Sequence, residues 1–143
     1  MTITFKKKSK RSSFDETATF TTLTIFVDNY EVGFLMYSRA DPNLEFPPYS
    51  DVMIEEIKIR PEEQGKGYGY LLMKKTLSDL DKKHLSIELA ATFDNENRSA
   101  LIRFYKQFGF REATVKDYRY FESIGVRLNR TPSTQLALFR DKQ

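Results

Sequence analysis

Residues 60–69 read RPEEQGKGYG, with glycines at 65, 67 and 69, half of the six in the chain. Glycine inside an element costs about 0.5–1 kcal/mol relative to alanine, so this cluster implies a backbone task. A strand-like segment precedes it and a helical spacing follows. A glycine turn that opens a helix is an anion site, because its N–H groups converge and the helix dipole adds partial positive charge. The chemistry is phosphate binding. The backbone N–H groups of 65–69 do most of it, and Lys66 adds a side-chain cation. Two phosphate motifs do not fit. A P-loop needs Gly-Lys-Ser/Thr, whereas Gly67 follows Lys66. A dinucleotide fingerprint needs GxGxxG in a βαβ unit, whereas Tyr70 takes the third glycine's place and the preceding strands read as an antiparallel hairpin.

The strand entering this turn, VMIEEIKIR at 52–60, carries a second signal. Ile57 and Ile59 share one face by period 2, but Val52 and Ile54 belong to the opposite parity. A β-bulge at Glu55-Glu56 would shift the register by one and splay the strand, and bulges gather beside active sites. The other reading is a strand buried on both faces. Glu55 or Glu56 could serve there as a general base, directly or through water. Only one of them should point toward a given site, and two solvated carboxylates is the plain alternative.

Gln64-Gly65-Lys66-Gly67-Tyr68-Gly69 matches the pattern Gln/Arg-x-x-Gly-x-Gly/Ala. Residues 97–110, NRSALIRFYKQFGF, match Asn-x-x-Ala-x-x-x-aromatic-Tyr-x-x-x-Gly-Phe at a compatible distance. On these two motifs the chain resembles the GNAT superfamily of acyl-CoA-dependent N-acyltransferases, closely over residues 50–115 and loosely in the flanking strands. The resemblance implies that Gln64, Gly65, Lys66, Gly67, Tyr68 and Gly69 cradle the pyrophosphate of coenzyme A. It implies that the bulge opens a gap toward the strand at 84–91 for the pantetheine arm, with the backbone of Ile57, Lys58 and Ile59 meeting its amides. A bulge amide would polarise the thioester carbonyl. Tyr105 matches the family's general acid, and a phenol with pKa near ~10 stays protonated to donate to a leaving thiolate. Read without the resemblance, Tyr105 is a core aromatic on the apolar face of its helix. Asn97 matches a position contacting the coenzyme or an ordered water, and helix capping is an equal alternative.

These residues need a frame. TATFTTLTIFV (17–27) and YEVGFLMYS (30–38) read as strands joined by a turn at Asp28-Asn29. Further strands are expected at Thr2–Phe5, 52–60, 84–91, Phe110–Val115 and Gln135–Phe139. Helices are expected over 67–83 and 97–108, the second ended by Gly109. Residues 6–17 and 40–51 read as loops, the TFDNEN stretch as a loop with capping residues Asp94 or Asn95, and 116–133 has no clear pattern. The order describes an α+β domain, a mixed and mostly antiparallel sheet with flanking helices, filling 1–143 as a single unit. The resembled family places two helices between its first and second strands, over the acceptor site. Residues 6–17 are too few for them, so those helices are missing or much shortened. The acceptor cleft is then open, or completed by another chain or by a macromolecular substrate. Phe46, Tyr49, Tyr118, Tyr120 and Phe121 either line that cleft or anchor their loops.

Composition bounds the rest. The chain of 143 residues has no cysteine and one histidine, which removes thiolate nucleophiles, disulfides and Cys- or His-rich metal sites. His84 reads as surface or helix C-cap. The absence of cysteine fits a reducing compartment, and a cytoplasmic location is expected. No apolar run reaches the ~20 residues of a membrane span, and MTITFKKKSKRSSF does not read as a signal peptide. Net charge is +3, with the excess concentrated in KKKSKR, 6–11. That run reads as a solvated segment, and nucleic-acid binding ranks low. The leading expectation is an N-acetyltransferase that moves acetyl from acetyl-CoA to an amine by direct attack in a ternary complex. An open cleft favours a peptide or protein acceptor. Glu55, Glu56, Glu62 and Glu63 could supply an acidic patch for it. The alternative is a catalytically idle fold that acts by binding a partner. Homodimers are common in the resembled family.

Overall fold

A computed structural model describes residues 1–11, 18–41, 49–92, 97–124 and 135–143. They form a seven-stranded mixed sheet with three helices. The strands are β1 (Ile3–Arg11), β2 (Ala18–Val27), β3 (Tyr30–Ala40), β4 (Val52–Ile59), β5 (Ile87–Thr92), β6 (Arg111–Glu112) and β7 (Gln135–Arg140), and the helices are α1 (Tyr68–Asp81), α2 (Arg98–Lys106) and α3 (Val115–Ser123). Across the sheet the order is β1-β2-β3-β4-β5-β7-β6. Only β4 and β5 run parallel.

Alternation builds the first half of the sheet. In β2 the buried residues are Thr21, Leu23 and Ile25, and in β3 Leu35 and Tyr37 continue that face. Asp28 and Asn29 turn the chain with φ of 49° and 68°. These are left-handed conformations that Asn and Asp tolerate and that two-residue hairpins require. On this face α1 lays Leu72, Met73, Leu77 and Leu80 against the strands to make the main core. Arg140 locks the end of α1. Its guanidinium grips both carboxylate oxygens of Asp81 at 2.6 and 3.0 Å and donates through Nε to Phe108 O at 2.7 Å.

The opposite face is divided. Over β7 it is covered by α3, whose Phe121 packs with Tyr49 on Phe139, ring centroids 6.0 and 5.8 Å from it. Over β1–β3 no helix among the described residues packs on it. Register places Lys6, Lys8 and Lys10 of β1 on this side, opposite Thr24, Thr22 and Phe20 of β2.

Several expectations need correction. KKKSKR is not a loop: β1 runs from Ile3 to Arg11, paired along its length with β2. Lysine propensity argues against a strand, but an edge strand with one face in water accepts charge and is protected by it from pairing with other chains. Strand β5 starts at Ile87 and not at 84. His84 instead ends the turn after α1 with φ 54°, its N–H donating to Asp81 O at 3.0 Å. The strand expected over Phe110–Val115 is reduced to Arg111–Glu112, because Thr114 caps α3, a helix within the stretch that showed no pattern. Phe46, the capping candidates Asp94 and Asn95, and residues 125–133 lie outside the described residues.

Candidate active site

The bulge is present where the parity of side chains changes. Met36 pairs with Glu56 and Tyr37 pairs with Ile54, so Glu55 is the extra residue. Val52 and Ile54 face the core before it, and Ile57 and Ile59 return to the same face after it. The bulge coincides with a parting of the sheet. Strands β4 and β5 pair only over Val52–Ile54 with Ile87–Leu89. From Glu55 to Ile59 the β5-facing edge of β4 has no ladder partner among the described residues, which leaves backbone donors and acceptors facing a gap.

That gap is a cavity of about 330 Å³. Its helix-side wall is Ile54, Ile57, Leu89, Leu101 and Tyr105, and its other wall is Glu55, Glu56 and Ala90. The cavity therefore connects the two faces of the sheet at one point. Tyr105 is 6% exposed and held edge-on by Phe104 and Phe110, with centroids 5.1 and 5.9 Å away. Its hydroxyl makes no hydrogen bond among the described residues, and burial raises its pKa, so it stays protonated. Glu55 turns away from the helices and accepts a hydrogen bond from Ser38 Oγ at 2.6 Å. Glu56, opposite Met36, is on the same side and exposed.

Sequence reading missed Glu88. It lies on β5 between buried Ile87 and Leu89, so it points to the helix-free side, with Met53 of β4 and Phe139 of β7 as its cross-strand neighbours. Burial between them pushes its carboxyl up to about 7, and the negative charge of Glu55 adds to the rise. A carboxyl in that range exchanges protons near neutral pH. The alternation of HLSIELAA carried part of this signal, but the flanking Met53 and Phe139 come from distant strands.

The glycine turn lies at the open end of the gap. Gly65 and Gly67 have φ of 81° and 86°, and a Cβ on either would meet nothing within 4 Å. Glycine is required there for backbone conformation, and the space above the turn is open. Gly67 is the N-cap of α1 without any side-chain cap, and the first turn holds no acidic residue. The first helical bond is Leu71 N–H to Gly67 O at 3.1 Å, so the N–H groups before it have no helical acceptor. This fits a pyrophosphate. Gln64 supports the turn by donating from Nε2 to Ile59 O at 3.2 Å. Lys66 pairs with Glu63 at 2.9 Å. Tyr68 is buried in the core, and Gly69 lies 3.9–4.0 Å from Phe104, Ile57 and Ile59 by its Cβ direction. Lys58 is exposed, and Asn97 stands at the N-cap of α2 without a side-chain cap bond.

Tyr49, Tyr120 and Phe121 are anchors and do not line the cavity. Tyr49 donates to Asp117, which also accepts from Arg111 at 2.6 Å and from Thr114 N at 2.7 Å. Burial alone would raise Asp117, but these hydrogen bonds bring it down to about 2. Burial and the bond to Asp117 push Tyr49 up to about 12. The cluster clamps α3 to β6 and β7.

The sequence pattern of the acetyltransferase (GNAT) family matches residues 2–110. The chain belongs to that family. Solved structures agree on the fold. The ribosomal-protein-S18-alanine N-acetyltransferase of Escherichia coli is 17% identical, with a TM-score of 0.59 over 87% of this chain and 70% of that one. Ard1 from Thermoplasma volcanium is 21% identical, with a TM-score of 0.56 over 85% and 70%. The PaiA N-acetyltransferase of Thermoplasma acidophilum, solved in complex with coenzyme A, is 15% identical, with a TM-score of 0.52; the match spans 84% of this chain but 59% of that one. No curated protein sequence matches the chain. Only residues 12–17 separate β1 from β2, so the expected shortening of this region holds.

Proposed function

We propose that the protein is an acetyl-CoA-dependent N-acetyltransferase acting on a peptide or protein amine. The observation that carries the reading is the cavity through the parted sheet, with a protonated tyrosine on one wall and carboxylates on the other. Acetyl-CoA supplies the activated acyl group. The N–H groups of the Gly65–Gly69 turn hold its pyrophosphate, and the unpaired edge of β4 at Ile57–Ile59 aligns the pantetheine arm. Tyr105 donates its hydroxyl proton to the leaving sulfur. On the helix-free side an amine arrives as a cation and must give up a proton. Glu88 is the base, its carboxyl tuned near neutrality, and Glu55 and Glu56 keep the mouth negative so that the cationic amine is attracted.

The short β1–β2 connection supports a second reading, an idle fold that binds a partner. Calorimetric titration with acetyl-CoA, repeated on Gly67→Val, separates the two together with a thiol-release assay on amine-bearing peptides. Saturable 1:1 binding that weakens at least tenfold in the variant, with thiol release on peptide addition, supports the enzyme. Binding without release on any amine supports the idle fold. Absence of binding refutes the coenzyme site.

A further inference from the structure

The helix-free face of β1–β4 carries opposite charges at the two ends of two adjacent rows, while the flanking row Lys6, Thr24, Phe34, Lys58 has a cation at both ends. Register aligns residues in rows across the sheet. One row runs Lys10, Phe20, Ser38, Met53, Glu88, and the next runs Lys8, Thr22, Met36, Glu56. Each begins with a lysine on β1 and ends with a carboxylate, Glu56 in the cavity wall and Glu88 two residues along β5 from the cavity-lining Ala90. Lys6 extends the basic edge, its ammonium 5.0 Å from the Phe26 ring centroid. Lys8 and Lys10 are exposed and make no ion pair among the described residues. Between the poles lies a floor of half-buried Phe20, Thr22 and Met36 with the more exposed Met53. Strands are about 4.8 Å apart, so the poles are roughly 14–19 Å apart. An extended chain advances about 3.3 Å per residue and covers that span in about four to six residues.

We propose that this face is the acceptor-docking surface, and that it selects a peptide or protein segment bearing carboxylates about four to six residues from the amine to be acylated. This rests on the acetyltransferase reading. Charge complementarity fixes the polarity of the occupant. The amine, a cation, goes to the Glu55, Glu56 and Glu88 end, and acidic side chains go to the lysine row. A second copy of the chain could pair its poles with these in reverse, but it would close the cavity mouth through which an acceptor must pass.

The test uses fluorescein-labelled decapeptides with free N-termini, in which an Asp-Glu pair is moved along an otherwise neutral sequence. Anisotropy titration against the protein saturated with coenzyme A reads binding, and thiol release from acetyl-CoA reads turnover. Affinity should peak with the acids near positions 5–7, about tenfold above the neutral peptide, as expected of two exposed ion pairs at about two- to fivefold each. The double variant Lys8→Glu/Lys10→Glu should reverse the preference toward a Lys-Lys pair at the same positions. Its affinity for acetyl-CoA should be that of wild type, which also shows that it folds. Lys8→Gln/Lys10→Gln should abolish the preference without reversing it. Position-dependent binding without turnover leaves the docking surface standing and removes the acetyltransferase reading. Turnover with equal affinity for every peptide removes the docking surface and leaves the enzyme. A wild-type dimer that the charge reversal dissociates, or salt-sensitive binding to single-stranded RNA lost in the variant while peptide affinity is unchanged, also overturns the proposal.

Discussion

Replacing Glu88 by glutamine should make the protein more stable and less active at the same pH. The side chain is isosteric, and the carboxyl it removes has a folded pKa near 7 against 4.5 for the free group. A tenfold change in proton affinity corresponds to about 1.4 kcal/mol, so the rise corresponds to about 3 kcal/mol at full burial. Glu88 keeps part of its surface in water, and screening reduces the effective cost to about 1–2 kcal/mol. The sign follows from proton binding. Between pH 4.5 and 7 the folded protein holds more protons at this site than the unfolded chain, so stability falls as pH rises through that window. Below 4.5 the group contributes nothing, and above 7 the whole cost is present. Glu88→Gln should therefore match wild type near pH 4.5 and exceed it by about 1–2 kcal/mol at pH 8, or about 3–7 °C in Tm. Activity should move the other way. Wild-type kcat/KM should rise with pH through a midpoint near 7, and the variant should lose that limb and fall about 10²–10⁴-fold. Urea or thermal melts from pH 4.5 to 8.5, with rates over the same range, provide the check. A stability difference that does not change with pH would refute the burial argument. An unchanged pH–rate profile would remove Glu88 from proton transfer.

Three other outcomes are expected. Tyr105→Phe should lower kcat about 10²-fold and leave the acetyl-CoA Kd within twofold by calorimetry, since only the hydroxyl is lost; unchanged kcat would reduce Tyr105 to a core residue. Asp117→Ala removes the cap of α3 and a buried carboxylate whose partner Arg111 is a third exposed and keeps Asp141, and should cost about 2–3 kcal/mol at pH 7 by urea denaturation. The folded pKa of Asp117, about 2, lies below its ordinary 3.8, so that stabilisation is present above pH 4 and is lost as pH falls toward 2. Wild type and Asp117→Ala should therefore converge in acid, and a constant gap down to pH 2 would contradict the assignment.

The parts of the molecule that sequence revealed are those where one residue type has one physical use. Two glycines with positive φ at a helix start could only be a turn, and the two motifs around them carried the family. The parity change from Val52-Ile54 to Ile57-Ile59 narrowed the bulge to Glu55-Glu56, and the strand pairing makes Glu55 the extra residue. What sequence hid was decided by neighbours. KKKSKR is a strand because β2 offers it a complete ladder, which lysine propensity opposes. Helix α3 packs through only a few aromatics, Tyr120 and Phe121 among them, and is held as well by the buried carboxylate of Asp117, although Thr114-x-x-Asp117 was a legible capping signal. Glu88 looked like any solvent-facing residue in an alternating strand until the sheet order set Met53 and Phe139 beside it.

The parting of β4 from β5 also has a mechanical meaning. The ladder there is three residue pairs long, reinforced at its closed end by Asp51 and Ser86, whose side chains and backbones bond at 2.9–3.1 Å. Everywhere else from β1 to β5, and from β5 to β7, the pairing is at least twice as long. The sheet is thus two leaves on a short spine, and a pantetheine chain laid along the free edge of β4 would act as the missing stitches. Coenzyme would then be a structural component as much as a reactant. Amides on the β5-facing edge of β4 should exchange as freely in the apoprotein as those on the outer edges of the sheet and slow most when it binds, so that readiness for the acceptor is set by the first substrate.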